Sequence, residues 1–132
     1  MIIVDSNIWI FSENLNSEEY KISAQKLKDI FTKDSFGINA IITSEVFHTL
    51  SRLSSPAEAS LRTINILVHP LAQWLDFSSE VAIDAIRLSK ESKIRINDAL
   101  IAQQALTMKA AVLTDNTKDF EKVKGLKIIP LR

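Results

Sequence analysis

The chain has 132 residues, of which 46% are hydrophobic and 24% charged, and its sixteen Lys and Arg residues balance sixteen Asp and Glu residues. This length suits one domain with a hydrophobic core, which we place at residues 1–132. The zero net charge argues against a protein that coats DNA regardless of sequence, and the absence of Cys excludes disulfides, thiolate metal sites and cysteine nucleophiles. Because the sequence shows no signal peptide and no apolar run of membrane-spanning length, we expect a cytoplasmic protein without membrane contact.

Strands and helices are predicted to alternate along the chain. Residues 2–5 read as a short buried strand, and residues 17–33 as an amphipathic helix with Ser17 as a candidate N-cap. A further helix has Asn97 as a plausible N-cap. The other predicted strands are 36–40, 73–77, 110–115 and 127–131, and the other predicted helices are 43–53, 57–68, 79–92 and 97–109. This alternation predicts an α/β fold with a mostly parallel sheet of roughly five strands and helices on both faces.

Two acidic residues end predicted strands. Asp5 ends the first predicted strand and Asp115 ends the fourth. Ligands of open parallel sheets sit beyond the carboxyl ends of the strands, so both acids are expected at the edge where a site would form. The alternative for Asp5 is an ordinary cap of the next helix.

Glu45 borders the apolar stripe of its predicted helix. Ile42, Val46 and Thr49 share its face. In the alternative interpretation Thr43 or Ser44 caps this helix, and Glu45 lies in the first turn, where the helix dipole favours an acid.

Asp98 heads the stripe of its helix that must face the core. Ile101, Ala102 and Ala105 follow it at helical spacing. A first-turn Asp is also favourable by itself, which is the alternative. The loop after residue 114 adds Asp119, although its Asp and Asn residues also suit a simple turn.

The acids share a position at strand ends and helix starts. Carboxylates that converge in one pocket repel one another unless a cation neutralises them. With oxygen donors and no Cys, the chemistry favours a hard ion such as Mg²⁺ or Mn²⁺.

Four motifs in order resemble those of PIN-domain nucleases. They are "IIVDSNIWI", "ITSEVFHTL", "INDALIAQQAL" and "VLTDNTKDFEKVKGLKIIPL", and they span essentially the whole chain. The chain is most similar to the small VapC-type toxins of toxin–antitoxin pairs. The resemblance implies a PIN-like three-layer α/β/α fold.

The resemblance also implies a set of site residues. Asp5 and Asp98 match the acids that hold the metal ion, Glu45 matches the second acid, and Asp119 is favoured over Asn116 as the fourth. The catalytic set is then Asp5, Glu45, Asp98 and Asp119, supported by Ser6, Asn7, Thr114, Asn116 and Asp115. Candidate RNA-binding residues are Arg52, Arg62, Arg95 and Lys118.

The activity that the resemblance implies is Mg²⁺- or Mn²⁺-dependent endonucleolytic hydrolysis of RNA phosphodiester bonds. It also implies a homodimer and a cognate antitoxin protein. The alternative is a PIN fold that no longer cuts and serves as an RNA- or protein-binding module. A haloacid-dehalogenase-like phosphatase is disfavoured because Asn7 stands where a second Asp is needed, and a dinucleotide binder because the glycine-rich turn is missing.

Overall fold

The structure is a computed structural model that describes residues 1–132, and strands and helices alternate along them. The strands are β1 (Ile2–Val4), β2 (Phe36–Ile38), β3 (Ala72–Trp74), β4 (Ala111–Thr114) and β5 (Lys127–Pro130). The helices are α1 (Ser6–Glu13), α2 (Tyr20–Phe31), α3 (Ala40–Leu53), α4 (Pro56–Leu67), α5 (Ser79–Ser92), α6 (Ile96–Met108) and α7 (Thr117–Phe120). The α/β class and the five-stranded sheet predicted from the sequence are confirmed.

All five strands lie in one parallel sheet in the order β3-β2-β1-β4-β5. Strand β1 is central: Ile2 pairs with Phe36 of β2 on one side and with Ala111 of β4 on the other. Residues that follow β1 and β4 therefore meet at the same edge of the sheet, which fulfils the condition for Asp5 to lie near the end of β4. None of the helices combines the length and the apolar character needed to span a lipid bilayer.

The central strands β1, β2 and β4 are largely buried because helices cover the sheet on both faces, whereas the edge strands β3 and β5 include exposed residues. Ile3 and Val4 of β1 and Val112 and Leu113 of β4 are fully inaccessible to solvent. This arrangement explains why the strand sequences are continuous apolar runs instead of alternating patterns. It also means that a polar group placed just past these strands is shielded from water on most sides.

Several helix starts differ from the sequence-based expectation. Helix α2 begins at Tyr20, and Ser17 does not cap it, because the Ser17 hydroxyl donates to the backbone oxygen of Asn14 at 3.0 Å. Helix α6 has Arg95 at its N-cap position, so Asn97 lies inside the first turn and the prediction of Asn97 as cap is wrong. Helices α1 and α7 were not predicted at all.

Helix α3 starts earlier than predicted, which moves Glu45 along the helix. Asn39 is the N-cap, and its side chain accepts from the Ile42 backbone N–H at 2.9 Å. Neither Thr43 nor Ser44 caps the helix. Glu45 therefore lies in the second turn, where the helix dipole no longer explains its placement.

A buried polar pair ties the two acid-bearing helices to the sheet. Asn39 Nδ2 donates to Gln104 Oε1 at 2.8 Å, and Gln104 Nε2 donates to the backbone oxygen of Asp76 at 3.2 Å. Both side chains are almost completely buried. The pair fixes α3, which carries Glu45, against α6, which carries Asp98.

Candidate functional site

Asp5 is both a helix cap and a buried acid. Its Oδ1 accepts from the Ser6 backbone N–H at 2.8 Å, and its Oδ2 accepts from the Thr114 hydroxyl at 2.7 Å. The residue is only 4% exposed. Burial raises the pKa of Asp5 to about 6, although the hydrogen bonds from Thr114 and Ser6 oppose the shift. Asp5 therefore fits both interpretations of its position, because it caps α1 and is also a buried acid at the edge of the sheet.

Asn7 and Thr114 join the end of β1 to the end of β4. Asn7 Nδ2 lies 3.4 Å from both Asp5 Oδ2 and Thr114 Oγ1, and Asn7 Oδ1 accepts from the Asp115 backbone N–H at 3.2 Å. The Thr114 hydroxyl also accepts from the Asn116 backbone N–H at 2.9 Å. These supporting residues hold the Asp5 carboxylate in one orientation.

Glu45 and Asp98 complete the acidic group around Asp5. The Ser6 hydroxyl donates to Glu45 Oε1 at 3.1 Å, while Asp98 is 3% exposed at the start of α6. The negative charges of Asp98 and Glu45 both add to the rise in the pKa of Asp5. Three predicted site acids are thus close enough to act on one another electrostatically.

Arg95 makes direct contact with two of these acids. Its Nε lies 3.3 Å from Asp98 Oδ2 and its Nη2 lies 3.3 Å from Asp98 Oδ1. The same Nη2 is 3.8 Å from Glu45 Oε2. The hydrogen bonds to Asp98 are the main reason why the pKa of the Arg95 guanidinium is raised.

Asp119 and Asp115 lie in different surroundings. Asp119 Oδ2 accepts from Asn116 Nδ2 at 3.2 Å, and this hydrogen bond is the main cause of its lowered pKa, to which the charge of Arg95 also contributes. Asp115 instead pairs with Arg132 at 3.1 Å. Asp119 also forms an ion pair with Lys122 at 3.4 Å, but it is the acid of this loop whose pKa responds to the charge of Arg95 as well.

The other candidate RNA-binding residues do not contact the acidic group. Arg62 forms ion pairs with Glu13 and Glu58, and Arg52 and Lys118 are exposed to solvent. A cavity of about 250 Å³ lined by Lys109 and Lys127 lies at the amino ends of β4 and β5, opposite the acids.

The donor set suits a hard divalent cation. Asp5 and Asp98 offer carboxylate oxygens in a buried setting. Burial and, to a smaller extent, the charges of Asp98 and Glu45 raise the pKa of Asp5, and a cation would offset both effects. No three Asp, Glu or His side chains are grouped so as to hold one metal ion among them. Asp5 and Asp98 are the two carboxylates that the resemblance assigns to the ion, and Arg95 contacts one of them, Asp98.

Sequence reasoning missed Asn39 and Gln104. Asn39 lies inside the strand predicted at 36–40, although an Asn that precedes a helical apolar pattern is a common N-cap. Gln104 could have been recognised from the sequence as a buried polar residue, because it stands beside Ala105 on the stripe that faces the core. Their pairing across the molecule depends on the tertiary fold.

Comparison with known proteins finds a family model and a relative that each match most of the chain. A family model described as the PIN domain matches residues 2–126. Ribonuclease VapC2 from Rickettsia felis is 26% identical over 129 residues, which cover 94% of this chain and 92% of that protein.

Solved structures share the fold at lower sequence identity. VapBC2 from Rickettsia felis, solved bound to a DNA fragment from their promoter, superposes with a TM-score of 0.77 at 22% identity over 98% of both chains. Mycobacterium tuberculosis VapC20, described as a toxin that cleaves the sarcin–ricin loop, gives 0.78 at 14% identity over 98% of this chain and 100% of that chain. With a family match over almost its entire length and this arrangement of acids at the sheet edge, the chain belongs to the PIN domain family.

Proposed function

We propose that this chain is a divalent-metal-dependent endoribonuclease and the toxin of a toxin–antitoxin pair. One observation carries the proposal: the buried Asp5 lies beside two further acids, Asp98 and Glu45, at the carboxyl edge of a parallel sheet. Like charges held together in a buried place cost free energy that a bound cation offsets. The relative Ribonuclease VapC2 supports RNA as the substrate.

Asp5 and Asp98 would hold the ion, Mg²⁺ or Mn²⁺. When bound, such an ion supplies a Lewis acid that lowers the pKa of an attacking water and offsets charge on the phosphate. The chain's own contribution is orientation. The Thr114 hydroxyl and the Ser6 backbone N–H each hold one oxygen of Asp5, so that the carboxylate does not need to reorient when it binds the ion.

We propose that Glu45 acts as the general base. The Ser6 hydroxyl holds its Oε1, and its side chain is 23% exposed, so solvent reaches the carboxylate. An ionised Glu at such a position accepts a proton from the water that attacks the phosphate. Asp119 adds a further negative charge, and the positive charge of Arg95 contributes to its lowered pKa.

A cognate antitoxin is the partner we propose. The similar structures from Rickettsia felis and Salmonella typhimurium are VapBC assemblies, both solved with DNA. We also propose that the chain forms a homodimer, as the resemblance to VapC-type toxins implies.

The second candidate function is a PIN fold that binds RNA or protein without cutting. The contact of Arg95 with both oxygens of Asp98 favours it, because those oxygens are engaged within the chain itself. In that case the acids and Arg95 would form a purely structural ion-pair network.

Cleavage of end-labelled RNA with and without Mn²⁺ distinguishes the two functions. Asp5→Asn and Asp98→Asn should each lower the Mn²⁺-dependent rate by about a hundred-fold or more, while circular dichroism shows a retained fold. Asp84→Asn is the matched control, since Asp84 is an exposed acid of α5 paired only with Arg87. Equal cleavage by all variants would indicate a contaminating nuclease, and RNA binding without cleavage would favour the second candidate.

A further inference from the structure

Arg95 is the one basic side chain that forms ion pairs within the acidic group. Its guanidinium contacts Asp98 and Glu45 directly. Its positive charge also contributes to the lowered pKa of Asp119 on α7. A single guanidinium thus interacts with acids from three separate helices, α3, α6 and α7.

The local backbone explains how Arg95 reaches this place. Arg95 is the N-cap residue of α6 and has extended dihedral angles, φ −61° and ψ 148°. Asp98 lies three residues later in the first turn, so the two side chains lie next to each other at the start of the helix. Arg95 Nε and Nη2 each take one oxygen of Asp98 in a fork-like contact.

The ion pair between Arg95 and Asp98 can be replaced by the binding of another cation to Asp98. Both Asp98 oxygens are within 3.3 Å of Arg95, so any cation that binds Asp98 competes with the guanidinium. The Arg95 side chain is itself 66% exposed, against 4% for that of Asp98. The exposed guanidinium loses little packing when it leaves, and a bound cation would replace its positive charge beside the buried Asp98 carboxylate.

We propose that Arg95 is an intramolecular counter-ion that competes with the divalent cation for Asp98 and, once displaced, binds a phosphate of the RNA. The proposal rests on the proposed function, because it needs Asp98 to be a metal ligand. A guanidinium released at the solvent-facing rim of the acidic group is well shaped for a phosphate, which accepts two parallel N–H hydrogen bonds. Metal binding and RNA binding are then coupled through one side chain.

Removal of Arg95 should therefore change two quantities in opposite directions. In Arg95→Gln, titration calorimetry should give tighter Mn²⁺ binding by about three- to five-fold, because the competitor is gone. At saturating Mn²⁺ the KM for a single-stranded RNA should rise by about five- to ten-fold, with kcat within about two-fold, because a phosphate contact is lost. Arg95→Lys keeps the positive charge but not the two-pronged guanidinium. Its Mn²⁺ affinity and its KM for RNA should therefore lie between those of the unchanged chain and those of Arg95→Gln.

The matched control is Arg87→Gln. Arg87 pairs with Asp84 in the same i,i+3 relation on α5 and is equally exposed on the surface, so this variant removes the same charge without touching the acidic group. It should bind Mn²⁺ and RNA like the unchanged chain. If Arg87→Gln shifts both quantities as much as Arg95→Gln does, the effect is general electrostatics and the proposal is overturned.

Asp98→Asn separates failure of this proposal from failure of the proposed function. If the unchanged chain binds Mn²⁺ no better than Asp98→Asn, then the metal site itself is wrong and both proposals fall. If Asp98→Asn loses Mn²⁺ binding but Arg95→Gln binds Mn²⁺ with unchanged affinity, the metal site stands and the counter-ion role of Arg95 is refuted.

Discussion

The hydroxyl of Thr114 donates a hydrogen bond of 2.7 Å to Asp5 Oδ2, although 109 positions separate the two residues in the sequence. Both side chains are buried. The bond connects the last residue of β4 to the residue that follows β1, the neighbouring strand. It sets the orientation of the acid on which the proposed metal site depends.

Replacement of Thr114 by Val should therefore weaken both the fold and the site. The buried Asp5 carboxylate and the Asn116 backbone N–H each lose a partner, which should lower the free energy of unfolding by about 1–3 kcal/mol. RNA cleavage should fall by about ten-fold or more because Asp5 is no longer oriented. Urea denaturation and cleavage rates measure the two effects.

Thr63→Val is the control for that variant. The Thr63 hydroxyl is also buried but has no hydrogen-bond partner. Its removal should leave stability unchanged or increase it. Equal losses in the two variants would mean that the Thr114 hydroxyl has no special role.

The ionisation of Asp5 should make stability depend on pH. Because its pKa is raised from 3.8 to about 6 in the folded state, the folded protein binds this proton more tightly than the unfolded chain. The resulting stabilisation is fully present below pH 3.8 and is lost as the pH rises to about 6. Two pKa units correspond to about 3 kcal/mol.

Comparison with Asp5→Asn isolates this contribution from other titrating groups. The difference in unfolding free energy between the unchanged chain and the variant should fall by about 3 kcal/mol from the bottom to the top of that pH range. Denaturation with EDTA present keeps divalent ions from contributing. Parallel pH profiles for the two proteins would contradict the raised pKa.

The two acids after β4 should differ in importance. Asp119→Asn should lower cleavage by about ten-fold, because its charge adds to the acidic group. Asp115→Asn should stay within about two-fold, because that carboxylate pairs with Arg132 on the surface. Cleavage rates at saturating Mn²⁺ test the pair, and the reverse order would make Asp115 the fourth acid.

Asn39, the N-cap of α3, should contribute more to the free energy of unfolding than an ordinary N-cap does. Asn39→Ala removes the cap and leaves the buried Gln104 Oε1 without its donor, which together should cost about 2–4 kcal/mol. Ser78→Ala removes the exposed cap of α5, whose hydroxyl accepts only from Val81, and should cost about 1 kcal/mol. Thermal denaturation of both variants measures the difference, and equal losses would show that the Gln104 contact adds nothing.

The site was predictable from the sequence where position and polarity conflict. Asp98 heads an apolar stripe and Asp5 ends an apolar strand, and both conflicts can be read without a structure. The pairing of Arg95 with Asp98 was not predicted, because the helix was expected to begin at Asn97 and Arg95 then lies outside it. The contact of Arg95 with Glu45 was not predictable either, because it depends on how α3 and α6 pack.

The errors concern local structure where caps and short helices compete. Helix α1 follows Asp5 without any intervening loop, so its apolar residues look like a continuation of the strand region. Ser17 and Asn97 have the right chemistry for caps but lie at the wrong positions. The strand order, which brings Asp5 and Thr114 together, is a property of the whole chain that no local pattern contains.

The position of β4 in the sheet has a consequence for biosynthesis. The strand lies beside β1 but is the fourth of five to leave the ribosome. Until residues 111–114 have emerged and paired with β1, the Asp5 carboxylate lacks the Thr114 hydroxyl that orients it. A nascent chain that stops short of β4 therefore cannot assemble the pocket, and the acidic group reaches its final geometry only after residue 114 has left the ribosome.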